Sequence, residues 1–181
     1  MLLQEALERL DHNKRPDQHA TGGTGEPWYT RRAIELLDDL LRPDFTAWEW
    51  GSGSSTIWIG RRVGNLTSVE HHPVWVGWVQ ETIELADLAN KVTLLDRPLG
   101  KGYAEAINSC EDGSLDAVFI DGRERVACIQ NAVPKLKSGG VLTIDNSERE
   151  HYGPGGMDLM SGWPMTETKN EKWKTTIWVK P

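Results

Sequence analysis

Between residues 45 and 144, short apolar runs alternate with amphipathic stretches of helical period. No other feature restricts the fold as much. Strands that alternate with helices form a parallel sheet whose two faces are both covered by helices. The strands read as 45–50, 66–70, 91–95, 115–120 and 141–144. The intervening helices read as 55–63, a stretch opened by Pro73, another around 103–109, and 123–137. Proline suits the first turn of a helix, and Trp75, Trp78, Val79, Ile83 and Ala86 then fall along one side. In the helix 123–137, Val126, Ile129, Val133 and Leu136 form the apolar stripe. Pro134 is expected to kink its last turn, and Gly139-Gly140 to stop it. The run 174–179 reads as a last strand, pairing with one near 164–168.

Ahead of this pattern, Leu3, Leu7 and Leu10 mark a short amphipathic helix. Residues 11–27, rich in glycine and proline, read as a loop or lid. A helix over 28–41 carries Ala33, Ile34, Leu37, Leu40 and Leu41 on one stripe. No internal repeat or boundary divides the chain. It reads as one domain over 1–181, with 1–27 as helix and lid-like segment and 28–181 as the catalytic core.

The formal net charge of −7 argues against a nucleic-acid partner, because phosphate binding needs a local excess of Lys and Arg. The longest basic clusters are pairs such as Arg31-Arg32 and Arg61-Arg62. No apolar run approaches the ~20 residues that span a bilayer, and the first residues carry acids and no cleavable apolar segment. These features point away from a membrane and toward the cytoplasm, where Cys110 and Cys128 would be reduced thiols. The nine tryptophans suit core packing, and an indole in a cleft also stacks on flat ligands. Nothing in the sequence chooses between a monomer and a homo-oligomer.

In sheets of this class ligands bind beyond the carboxyl ends of the strands. Those positions hold Glu49 with Gly51-Ser52-Gly53, then Glu70, Asp96, Asp121 and Asp145-Asn146. One acid at such a place is a cap or a turn residue. Five on one rim repel each other and suit a ligand with a cationic centre, hydroxyls and a metal ion. The glycine turn fits a close backbone approach to a ligand, and equally a tight strand-to-helix turn. Glu70 ends the second strand, where a carboxylate accepts from ribose hydroxyls. That spacing serves nicotinamide dinucleotides and S-adenosyl-L-methionine alike. Two features favour the latter. The run continues Ser54-Ser55-Thr56 with no third glycine, and Glu49 would oppose a diphosphate but attract an ammonium group.

The segments AWEWGSGSST, TSVEHHPVW and LDAVFIDGRERVACIQNAVPKLKSGGVLTIDNSE together resemble the class I S-adenosylmethionine-dependent methyltransferases, over roughly residues 28–148. The resemblance implies an α/β, Rossmann-like three-layer sandwich with a mostly parallel seven-stranded sheet and an antiparallel terminal hairpin. It implies the methionine moiety near Glu49 and the Gly51-Ser52-Gly53 loop, ribose on Glu70, and adenine near His71 and the loop after Asp96. DRPLG, however, is not a close copy of the usual acidic turn.

Asp121, Asp145 and Asn146, on adjacent strand ends, offer hard oxygens suited to Mg²⁺, Mn²⁺ or Ca²⁺. They are similar to the Asp and Asp-Asn pair that hold a divalent cation in the catechol-type metal-dependent O-methyltransferases. Those enzymes carry a basic lysine three residues after the first Asp. Here that position is Glu124, flanked by Arg123 and Arg125, so the base must be another group. In the alternative reading, Asp121 touches cofactor or substrate directly and Asp145-Asn146 cap the next segment.

The expected function is therefore methyl transfer to a small-molecule acceptor, with a hydroxyl the expected target. Asp121, Asp145, Asn146 and His151 are expected around the acceptor, and Trp28 and Tyr29 over the cofactor. The stretch 151–163 reads as a recognition loop or an ordinary connector. Competing readings are a nicotinamide-dependent oxidoreductase and a non-catalytic S-adenosylmethionine-binding module.

Overall fold

The computed structural model describes residues 1–12, 25–100 and 102–181. Seven strands form one sheet: β1 (Thr46–Trp50), β2 (Asn65–Glu70), β3 (Val92–Asp96), β4 (Leu115–Ile120), β5 (Leu136–Asp145), β6 (Met165–Lys169) and β7 (Lys174–Val179). Their order is β3-β2-β1-β4-β5-β7-β6. β1 to β5 pair in parallel, and β7 runs antiparallel to both β5 and β6. The chain reverses direction between β1 and β4, so the loops after those two strands open a crevice at the switch point.

Helices α1 (Leu3–His12), α2 (Arg31–Leu40), α3 (Ser54–Gly60), α4 (Pro73–Leu85) and α5 (Arg125–Lys135) complete the α/β sandwich. Period-2 alternation divides the core. Ala47, Leu66, Ala117, Phe119, Val141 and Ile177 point to the face packed by α1 to α4. Trp48, Trp50, Val118, Ile120, Leu142 and Trp178 point to the face packed by α5 and a 3-10 turn at Ala104–Ser109. Near the carboxyl ends of the strands the first face turns polar. Glu49, Ser68, Glu70, Asp121, Asp145 and Thr175 share its parity, and of these only Asp121 is more than a few per cent exposed.

Some boundaries depart from the sequence expectation. α2 starts at Arg31 because Thr30 caps it, its hydroxyl accepting from Ala33 N at 3.4 Å. α5 ends at Lys135, and the expected stop at Gly139-Gly140 is corrected: both glycines belong to β5. There the register against β4 shifts between Leu115 and Ala117. Gly139 N donates to Lys180 O at 2.8 Å, and Lys180 N to Gly140 O at 2.9 Å. The glycines thus form an irregularity within a strand, where backbone without a side chain is tolerated. Residues 13–24 of the expected lid lie outside the described residues. Cys110 and Cys128 are free thiols. Among the described residues no helix is long and apolar enough to cross a membrane.

Candidate active site

A cavity of about 1140 Å³ opens at the switch point, lined by the loops after β1, β2, β4 and β5, the starts of α4 and α5, and Trp28. Drug-sized ligands occupy pockets of ~300–1,000 Å³, so this space is at the upper end of what one such ligand fills.

Glycines set the first wall. Gly51 has φ +92°, and a Cβ there would stand 2.6 Å from Gly122 N. A Cβ on Gly122 would stand 2.0 Å from the Tyr103 hydroxyl. The two strand-end loops therefore touch backbone to backbone, which only paired glycines allow. The Gly51-Ser52-Gly53 turn is further tied down by Trp75, whose Nε1 donates to Ser52 O at 2.7 Å. Gly51 and Ser52 line the cavity; Gly53 is buried behind them.

Glu49 does not line the cavity. It is fully buried beneath the loop, where its carboxylate accepts from Ser55 Oγ at 2.5 Å, Ser68 Oγ at 2.5 Å and Thr56 Oγ1 at 2.6 Å. Burial pushes its carboxyl up to about 7, and the three hydroxyl bonds offset part of that rise. Sequence position alone gave it an outward role; it shares the face of Glu70, but it lies one residue short of the end of β1, where Ser55, Thr56 and Ser68 enclose it. Asp96 ends β3 exposed and away from the cavity.

Glu70 and His71 do line it. Glu70 Oε1 accepts from His71 N and His72 N, each at 2.9 Å. His71 Nδ1 is 2.9 Å from the same oxygen, off the line of a hydrogen bond. The second carboxylate oxygen has no partner among the described residues.

The last in-register pair of β4 and β5 is Ile120 with Ile144, so Asp121 and Asp145 leave adjacent strands at the same level. Asp145 is buried and takes Thr175 Oγ1 at 2.7 Å. Thr175 in turn accepts from Thr30 N at 3.0 Å, linking α2 to the site. Desolvation, and then the neighbouring Asp121 charge, hold the Asp145 carboxyl well above the usual range. Tyr29 is buried with its hydroxyl unpartnered among the described residues. Burial, then the charges of Asp121, Glu49 and Asp145, raise its pKa.

Asn146 lines the cavity in a left-handed conformation, φ 50°. His151 stands exposed at the rim, its ring 4.3 Å from that of Tyr152. The 151–163 stretch is not a bare loop. It holds 3-10 turns at Glu150–Tyr152 and Met157–Met160, and Gln130 of α5 donates to Gly155 O at 2.8 Å.

Sequence reasoning missed Arg125. Its guanidinium lies across the ends of β4 and β5. Nη2 donates to Asp121 Oδ1 at 2.9 Å and to Asp121 O at 2.7 Å, Nε to Gly122 O at 3.0 Å, and Nη1 to Asp145 O. The signal available was its i,i+4 spacing from Asp121. The expected set Asp121, Asp145 and Asn146 fits a divalent ion poorly. One carboxylate is bound to Arg125 and the other to Thr175.

A model of a methyltransferase domain matches residues 48–147, over half of the 181 residues. No curated protein matches the chain in sequence. The fold is similar to that of an O-methyltransferase from Bacillus cereus solved in complex with SAH, at TM-score 0.70 and 19% identity, covering 98% of this chain and 90% of that one. It is similar to a putative O-methyltransferase from Klebsiella pneumoniae, at TM-score 0.69 and 20% identity, over 99% and 90%. The O-methyltransferase TomG from Streptomyces achromogenes, in complex with SAM, gives TM-score 0.66 and 17% identity, over 99% and 89%.

Proposed function

Because the chain belongs to the methyltransferase domain family, we propose that it carries the methyl group of S-adenosyl-L-methionine to a hydroxyl of a small-molecule acceptor. One observation carries this reading. Glu70 spends one oxygen on the backbone of its own loop and keeps the other unpartnered on the cavity wall, an arrangement suited to a ribose diol. His71 beside it, the Gly51-Ser52 turn, Trp28 and Trp75 would complete the cofactor side.

S-adenosyl-L-methionine bound there supplies a sulfonium methyl already activated toward nucleophiles. The chain's own task is placement, which contributes ~7–11 kcal/mol when reacting atoms are held in line. Gln130, Arg149, His151 and Tyr152 furnish the acceptor's walls. Asp145, on the cavity wall at the level of Asp121, is the group we assign to receive the hydroxyl proton. His151 at the rim would pass that proton to solvent. A divalent cation has no part in this reading, because Arg125 and Thr175 already engage the two carboxylates.

The test is transfer from methyl-labelled cofactor to a panel of phenols, sugars, carboxylic acids and amines, with products identified by mass spectrometry. Label on a hydroxyl oxygen is expected. Label carried to amines alone would overturn the hydroxyl assignment.

A further inference from the structure

We propose that Arg125 is the built-in cation of this site, engaging the Asp121 carboxylate that a divalent ion would need, and that its remaining N–H serves the acceptor's oxygen. The inference rests on the methyl-transfer reading for its kinetic arm alone; its metal-binding arm stands independently.

A guanidinium has five N–H donors in a rigid fork and no acceptor. Four are engaged, by Asp121 Oδ1 at 2.9 Å, Asp121 O at 2.7 Å, Gly122 O at 3.0 Å and Asp145 O. The side chain is 6% exposed, yet it lines the cavity. The fifth donor, on Nη1, has no partner among the described residues. Three backbone carbonyls and one carboxylate thus aim the fork, and one N–H is left for what enters the cavity.

The same geometry opposes a metal ion. Mg²⁺ requires near-octahedral oxygens at ~2.0–2.1 Å, whereas the nearest carboxylate already serves a full positive charge. A dication beside that guanidinium would meet like charge in a poorly solvated place, where repulsion is strongest. Asp145 turns its carboxylate to Thr175, on the neighbouring strand. Arg125 therefore supplies the positive charge, and Asp121 serves to hold it.

The experiment uses the full chain with S-adenosylhomocysteine present, its binding followed by calorimetry in the same buffer. Mn²⁺ is titrated and its free form read by electron paramagnetic resonance. No depletion of free Mn²⁺ is expected with the wild-type chain, and chelator should leave turnover unchanged. Arg125→Gln should lower kcat at least tenfold while the KM for cofactor stays within about twofold, and Arg125→Lys should restore part of kcat. Stoichiometric Mn²⁺ uptake by the wild-type chain, or turnover lost to chelator, overturns the proposal. So does an Arg125→Gln variant with wild-type kcat. If the glutamine variant fails to fold, judged by its melting curve, the wild-type Mn²⁺ titration still decides. A chain that takes up no S-adenosylhomocysteine instead refutes the cofactor reading, and the Mn²⁺ result still judges Arg125.

Discussion

Glu49→Gln isolates the physics beneath the glycine loop. The wild-type carboxyl is fully buried and held at about 7 against an ordinary 4.5. Below pH 4.5 folded and unfolded chains both carry the proton. Between 4.5 and about 7 the unfolded chain releases it and the folded chain keeps it, so stability falls as pH rises through that window. At ~1.4 kcal/mol per pH unit the total loss is about 3 kcal/mol. Gln cannot titrate. Its oxygen can accept from Thr56 and Ser68, and Ser55 can turn to accept from the amide, which leaves one amide N–H without an acceptor at a cost of ~1–3 kcal/mol. The variant should therefore be the weaker protein near pH 4 and equal to or firmer than wild type near pH 8. Urea unfolding followed by tryptophan fluorescence across that range measures the gap directly. A gap that stays constant, or that widens in favour of wild type as pH rises, would refute the reasoning: Glu49 would then be an anion stabilised by its three hydroxyls.

Three further outcomes are expected. Gly122→Ala should lose ~1–3 kcal/mol of stability, because the new methyl meets the Tyr103 hydroxyl at 2.0 Å; adding Tyr103→Phe should restore part of the melting temperature. Glu70→Gln should keep the melting temperature, since the amide oxygen still accepts from His71 N and His72 N, while S-adenosylhomocysteine affinity falls roughly tenfold or more, the worth of a charge-assisted hydrogen bond. Thr175→Val should destabilise by about 2 kcal/mol or more in chemical denaturation, because Thr30 N and Asp145 both lose their buried partner.

The strands were legible because their apolar runs are short and bounded by acids or glycines. The seven-stranded sheet with its antiparallel terminal pair followed from resemblance and matches the structure. Local propensity misplaced the end of α5. Gly139-Gly140 reads as a stop, but pairing with Lys180, distant in sequence, draws both residues into β5. At the site, the list of strand-end acids was correct as a list and incomplete as geometry. Glu49 and Glu70 share a face, yet Glu49 lies deep enough in β1 to be enclosed by Ser55, Thr56 and Ser68. Asp96 ends an outer strand, beyond the cavity. Arg125 was passed over as one of two arginines flanking Glu124. What distinguishes it is the fork it makes across two strand ends, and no one-dimensional spacing displays that.

The account stands or falls on whether this cavity takes the nucleoside of a methyl donor. Titration calorimetry of the purified chain with S-adenosylhomocysteine, with NAD as the control, tests that most directly. A single saturable site for S-adenosylhomocysteine and no heat from NAD is the predicted result. Saturable binding of NAD with none of S-adenosylhomocysteine would contradict it.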